Sequence, residues 1–301
     1  MKQKVRLASV LSEPEACQPQ AADIINGAFS AKPACPVCFC GSVYKWGIVD
    51  GLQRYRCKEC KRTFNALTGT SMARLRKKEL WLEYSQALAD SLSLTKAAAR
   101  CGIDRTTAFR WRHRFLPLSG LQVAKCSGIT EMDETYFRES FKGKKVLHRR
   151  PRKRGKLEVR GLSSEQIPVV VARDRSGHTC DAVLRERNAK EVGLRIGSHI
   201  APDSLLCIEK SRILVKFAKD SGLALEAIGT KQRRGREKVF HVQTVNAYHS
   251  RLKNWIVRFN GIATERLPSY LSWRRLHESH LASPQQWLQA IVKGKIHTKC
   301  N

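Results

Sequence analysis

The sequence predicts an α+β chain of several domains. Three observations carry this: two close cysteine pairs, a helical stretch built around small residues and a glycine, and a longer stretch in which apolar strands alternate with helices. The 301 residues suit roughly two to three domains. Hydrophobic residues make up 42 % of the chain, enough for globular cores. No apolar run reaches the ~18 residues of a membrane span, so no membrane partner is expected. The first residues show no apolar signal region. The 11 cysteines are an odd number and fit metal ligands plus reduced core thiols, not a disulfide framework. A reducing compartment follows, such as a bacterial cytoplasm or a nucleus. With 56 Lys+Arg against 26 Asp+Glu the net charge is +30, which points to a polyanionic partner.

Residues 1–30 read as a flexible N-terminal segment, apart from a short amphipathic piece near Ala21–Phe29. Residues 33–66 read as a small β ribbon held by zinc. Cys35-x2-Cys38 is followed by Cys57-x2-Cys60, and each pair can form a tight knuckle presenting two thiolates to one tetrahedral ion. Between them lies a hairpin with its turn at Asp50-Gly51. So short a unit builds little core, and metal binding supplies its folding energy. Four protein ligands leave no open position, so this zinc is structural. Cys40 is offset poorly for a fifth ligand. Cys17, Cys101, Cys126, Cys180, Cys207 and Cys300 read as buried or free thiols.

Residues 77–116 have helical periodicity and the outline of a helix-turn-helix. Ala97–Ala99 allow close helix approach, and Gly102 can take the positive φ of the turn. Asp104 or Thr106 can cap the second helix. Ala108, Trp111 and Phe115 then face the core, leaving Arg105, Arg110, Arg112 and Arg114 on exposed faces. Arg105, Thr106, Thr107 and Arg110 are the expected contacts to double-stranded DNA, with the first three at the helix end that enters a major groove. An ordinary helical hairpin linking domains is the alternative. The pattern breaks at Pro117–Gly120, which suggests a linker.

Residues 125–280 alternate strands and helices. Glu131, Asp133 and Thr135 fall on one face of the first strand. Next comes a basic insertion, residues 142–160, with ten Lys/Arg against the single acid Glu158. Such density costs self-repulsion and suggests a polyanion contact through Arg150, Arg152, Lys153 and Arg154. Ile167–Ala172 and His178–Leu184 form a hairpin about the turn Asp174–Gly177. Asn188–Ile196 and Ser211–Ser221 read as helices, Ser204–Ile208 and Ala224–Ile228 as strands, and Thr244–Phe259 as a long helix. Residues 281–301 are left as a C-terminal tail. An acidic cluster in so basic a chain needs a cation between it and phosphate, and metal beside phosphodiester is nuclease and transferase chemistry. Asp133 supplies one acid. Glu209 supplies a second, at the end of an apolar strand. Asn246 and Lys253, seven residues apart, share a helix face. Strand, hairpin, strand and helix with this polar set form the pattern of an RNase-H-like mixed α/β domain. Such a domain carries a two-metal site for Mg²⁺ or Mn²⁺, with Asp133 and Glu209 as ligands.

The ribbon, the helix-turn-helix, "DETYF", the basic insertion, "IPVVVARDRSG" and "NAYHSRLKNW" together resemble the insertion sequence 1595 family of bacterial transposases, over about residues 33–278. The resemblance implies a DNA transposase of the DDE type whose third acid is replaced by Asn. It would bind terminal inverted repeats, cut DNA and transfer strands, acting as a homo-oligomer on DNA in a bacterial cytoplasm, at the nucleoid. It implies Asp133 as first metal ligand, Asn246 as third group and Lys253 as a phosphate contact. The family's second position is Asp followed by Gly, whereas this chain has Glu209 followed by Lys210. A catalytically decayed copy acting only as a DNA-binding protein is the alternative.

Overall fold

The computed structural model describes residues 20–30, 33–117, 125–145, 147, 163, 165–209, 211–229, 239–279 and 281–297. Two sheets organise it. The small one runs in the order β1 (Val43–Val49), β2 (Leu52–Cys57), β3 (Thr63–Asn65), all antiparallel. Asp50 and Gly51 both have positive φ, 50° and 74°. That is the geometry a two-residue hairpin needs to match the twist of its strands. Helix α1 (Ala21–Ser30) covers the ribbon: Phe29 packs edge-on against Tyr55 and Phe64. The amphipathic piece expected near Ala21–Phe29 is therefore a packed helix, with Ile25 fully buried. Residues 1–19 lie outside the described residues.

Helices α2 (Trp81–Ala89), α3 (Leu94–Arg100) and α4 (Arg105–Phe115) follow a short 3₁₀ turn. Ser93 caps α3 and Asp104 caps α4 through the Thr106 N–H, at 2.7 Å. Gly102 makes the turn with φ 58°. Ala108, Trp111 and Phe115 face Tyr84 and Trp81, as expected. Arg112 corrects the sequence reading. It is 1 % exposed, donates to the Leu92 carbonyl, and lies over the rings of Trp273 and Phe259. A guanidinium is weakly hydrated and stacks on aromatic faces, so two rings from a distant helix and loop make its burial tolerable.

The larger sheet has five strands in the order β6 (Thr179–Val183), β5 (Gln166–Asp174), β4 (Ile129–Arg138), β7 (Leu205–Ile208), β8 (Ala224–Ala227). The β6–β5 and β5–β4 pairs are antiparallel, and the β4–β7 and β7–β8 pairs are parallel. One face packs on α5 (Ala189–Ile196) and α6 (Arg212–Asp220), through Met132, Ile208, Val192 and Phe217. The other face packs under α7 (Gln243–Val257) and α8 (Leu267–Glu278), through Val169, Val171, Cys207, Tyr248 and Leu252. Asn188 and Ser211 cap α5 and α6, which fixes where each helix leaves its strand.

The C-terminal tail is corrected too. Residues Pro284–His297 form α9, whose Trp287, Leu288, Ile291 and Val292 are buried against α1 and α2. Trp273 and Trp255 donate to Leu88 O and Ser91 Oγ, so α7 and α8 are tied directly to the end of α2. Among the described residues no helix is long and apolar enough to cross a membrane.

Candidate functional site

The parallel pairing of β4 with β7 builds the site. Its last pair is Met132 with Ile208, so the next residues, Asp133 and Glu209, stand side by side. Asp133 sits in the middle of β4, at the level where β7 ends. Strand alternation puts Glu131, Asp133, Cys207 and Glu209 on the same face, the one beneath α7. Burial raises the Asp133 carboxyl to about 6, helped by repulsion from Glu134 and Glu209 and opposed by Lys253. The His249 imidazole lies 3.8 Å from Asp133. Burial and then Lys253 lower its pKa to about 4, so it is neutral at pH 7 and the contact is no ion pair. Its Nε2 is buried without a hydrogen-bond partner among the described residues.

Helix α7 thus brings His249 and Lys253 to the acids. Asn246 and Lys253 are both exposed, two turns apart on that helix. The carboxylates are hard oxygen donors, which suit Mg²⁺ or Mn²⁺. They repel each other in the absence of a cation, and Asn246 offers a neutral oxygen on the adjoining helix. The donor set fits a divalent ion. Lys210 lies outside the described residues.

The acid that sequence reasoning left without a role is Glu131. It is fully buried, pairs with Arg175 at 2.8 Å and His241 at 3.1 Å, and accepts the Val245 N–H at 2.9 Å. Helix α7 has no side-chain cap of its own at Val242, so Glu131 serves one of its free N–H groups from the sheet. It positions α7 over Asp133. Strand alternation had put it on the right face, but no local pattern links residues 114 positions apart. His241 has the same supporting role. Glu134 faces the other way, accepting the Tyr136 hydroxyl at 2.9 Å.

A second polar cluster fastens α7 and α8. Tyr248 donates to the buried Asp181 at 2.6 Å, and Arg275 pairs with the same carboxylate. Glu278 meets Arg173, Arg251 and Arg274. Burial alone would raise its pKa, yet the three arginines hold it down at about 2.

The four ribbon cysteines converge. The Sγ atoms of Cys35, Cys38, Cys57 and Cys60 lie within 4.8 Å of one another, and this is the group of three or more ligating side chains found among the described residues. Cys40 is not in it; its Sγ accepts the Ser42 N–H. The Cys57 thiol is lowered to about 7: its burial is outweighed by the N–H groups of Cys60 and Glu59 and by the Cys38 thiol. Cys38 goes up to about 12, although the Cys40 N–H favours its thiolate. Four thiols this close cannot all ionise without a cation among them, so the donor set fits a tetrahedral zinc ion. Cys101, Cys126, Cys180 and Cys207 are buried and away from it, as expected.

Arg105, Thr106 and Arg110 are exposed on α4, and Thr107 is half-buried. They belong to a different element from the carboxylate cleft. Arg150, Arg152, Lys153 and Arg154, with most of the basic insertion, lie outside the described residues.

Residues 125–274 match the family described as "ISXO2-like transposase domain". The chain is 27 % identical over 281 residues to an "Uncharacterized protein in transposable element ISH50" of Halobacterium salinarum, covering 87 % of this chain and 91 % of that protein. Among solved structures, "Crystal structure of a pre-cleavage Mos1 transpososome" aligns at 12 % identity over 74 % of this chain and 79 % of that one, with a TM-score of 0.20.

Proposed function

Because the chain belongs to the insertion sequence 1595 family of transposases, we propose that it binds the terminal inverted repeats of an insertion sequence, and cuts and joins DNA at the cleft of Asp133 and Glu209. The observation that carries this is the placement of the two carboxylates side by side on parallel strands, under a helix bearing Asn246, His249 and Lys253. The strand order, three antiparallel then two parallel, supports an RNase-H-like reading of residues 125–280. The capped pair α3 and α4 supports a helix-turn-helix over residues 77–116, and the cysteine cage supports a structural zinc in residues 33–66.

Divalent ions bound by Asp133 and Glu209 would supply Lewis-acid activation of the attacking oxygen and charge stabilisation at the scissile phosphate. The chain's own groups do the rest. Lys253 faces phosphate and orients the strand. His249, neutral and buried, lies 3.8 Å from the Asp133 carboxylate and adds no charge beside it. Asn246 adds an oxygen donor without a third negative charge. Water breaks the P–O3′ bond at the element's end and frees a 3′-hydroxyl, and that hydroxyl attacks a target phosphorus in line and expels the target strand's own 3′-oxygen. No protein nucleophile is needed. The protein acts as a homo-oligomer on DNA in a bacterial cytoplasm.

Glu209 followed by Lys210 favours a second reading, a copy that binds DNA without cutting it. Incubating a terminal-repeat duplex with the wild type and with Asp133→Asn, in Mg²⁺ and in Mn²⁺, separates the readings. Metal-dependent nicking at the repeat end by the wild type alone, weaker in Mg²⁺ than in Mn²⁺, supports the enzyme. Equal binding by both proteins with no nicking by either supports the second reading.

A further inference from the structure

Helix α4 is flanked by an open groove of about 1420 Å³ that lies between the zinc ribbon and the helix. Its walls carry Arg54 from β2, Arg74, Arg76 and Lys77 from the connection after the ribbon, and Arg110 and Arg114 from α4. The acids lining it are Asp50 and Glu79, and Asp50 is matched by Lys78 at 4.0 Å. Arg74, Arg76, Lys77 and Arg110 are exposed, and among the described residues none of them pairs with a carboxylate. Unpaired cations gathered on a concave wall repel one another, and an anionic ligand relieves that.

The connection is held in place. Arg114 donates to the carbonyls of Ser71 and Ala73, and Ser71 Oγ donates back to the Arg114 carbonyl. Arg74 and Lys77 have φ of 61° and 57°, a left-handed conformation that non-glycine residues seldom adopt. From this bent stretch Arg74, Arg76 and Lys77, with Leu75 between the first two, line the groove.

The position relative to α4 selects the ligand. The core face of α4 is Ala108, Trp111, Arg112 and Phe115. Arg110 and Arg114 line the ribbon-side groove, while Arg105, Phe109 and His113 line a different cavity on the opposite flank. A helix lying in a major groove, about 12 Å wide, has a phosphodiester strand along each flank. The ribbon-side groove is larger and more open than the pockets that enclose small molecules, which run about 300–1,000 Å³. We propose that this groove holds one strand of duplex DNA by its phosphates, so that the zinc ribbon forms one wall of the DNA site. This rests on the reading of α4 as the helix that enters the major groove. Arg74, Arg76, Lys77 and Arg110 meet phosphate oxygens, and Arg114 positions the connection. These contacts strengthen binding to every sequence alike.

The test compares the full chain with Arg74→Gln/Arg76→Gln/Lys77→Gln, a lysine control Arg74→Lys/Arg76→Lys, and Arg105→Gln. Binding to a terminal-repeat duplex and to an unrelated duplex is measured from 0.05 to 0.3 M salt, with circular dichroism as a check on folding. Each lost phosphate contact lowers the slope of log K against log salt by about 0.9. The triple glutamine variant should therefore lose affinity for both duplexes by roughly 10²-fold at 0.15 M salt, from counterion release alone. The lysine control should keep the wild-type slope. Arg105→Gln should lower only the preference for the repeat. An unchanged slope in a folded triple variant, with Arg105→Gln still affecting preference, overturns the groove while leaving α4 as reader. No effect from either variant overturns both. Tighter binding of a duplex RNA than of the same DNA sequence overturns the commitment to DNA.

Discussion

The cysteine cage and the carboxylate cleft are built on opposite plans. The cage draws its four thiols from one short segment, with two residues between the members of each pair, and gathers them around a shared centre. The cleft draws its acids from two strands that meet only in the sheet, and leaves them open beside the exposed Asn246 and Lys253. The ribbon has few buried residues of its own, so its ligands carry its folding. The cleft rests on a scaffold that stands without its acids, so those acids are free to be poorly placed for stability. Strand β4 shows the contrast within two residues: Glu131 is fully buried and matched by Arg175, His241 and an N–H group, whereas Asp133 is held in its less stable charged form near neutral pH.

The largest expected effect falls on the cage. Removing zinc should take away about 10–16 kcal/mol of folding energy from residues 33–66, and replacing Cys57 by Ser should take away part of it. Hydrogen exchange should show β1–β3 opening while β4 and β5 stay protected. Loss of protection in both sheets together would show that the two regions fold as one unit.

Next come the buried carboxylates that hold α7 and α8 to the sheet. Glu278→Gln leaves Arg173, Arg251 and Arg274 facing one another and should cost about 3–5 kcal/mol. Its carboxyl is depressed from 4.5 to about 2, so the stability it contributes is complete above pH 4.5 and fades as pH falls toward 2. Urea midpoints at pH 7 and pH 3 should differ less in the variant than in the wild type. Glu131→Gln should cost about 2–3 kcal/mol by loosening a charge-assisted bond to α7, with fraying at Val245 visible by exchange.

The smallest stability effect has the opposite sign. The Asp133 carboxyl is raised, so the folded state holds its proton more tightly than the unfolded state, and stability falls as pH rises from 3.8 to about 6. Asp133→Asn should stabilise the metal-free protein at pH 7 by about 1–2 kcal/mol, after allowance for partial exposure. A lower Tm in the variant would put Asp133 with the structural acids.

Both regions were legible to different depths. The cage was readable outright, because its spacing is its geometry. Strand ends, the Asp50-Gly51 and Asp174–Gly177 turns, the cap at Asp104 and the helix starts at Asn188 and Ser211 were readable because each acts within four residues. Asp133 and Glu209 were expected as ligands of one metal site from the strand that each belongs to or ends, and the register puts those two strands next to each other. Long-range matches were not readable. Arg112 looks solvated until Phe259 and Trp273 arrive beneath it. Helix α9 looks like a tail because the surface it covers, α1 and α2, comes from the other end of the chain. Glu131 looks like one more acid until α7 is placed on it.

Strand transfer from a pre-cleaved terminal-repeat duplex tests the cleft most directly. Glu209 carries one methylene more than Asp, displacing its carboxylate by about 1.5 Å, and Mg²⁺ tolerates such displacement poorly. Misplacement of about 1 Å costs on the order of 10²-fold in rate. The unmodified chain should be weak or silent in Mg²⁺ and partly rescued by Mn²⁺. Glu209→Asp with Lys210→Gly should gain activity, and adding Asp133→Asn should abolish all of it. Robust Mg²⁺ activity of the unmodified chain, with no gain from the restoring pair and no loss from Asp133→Asn, would contradict the account.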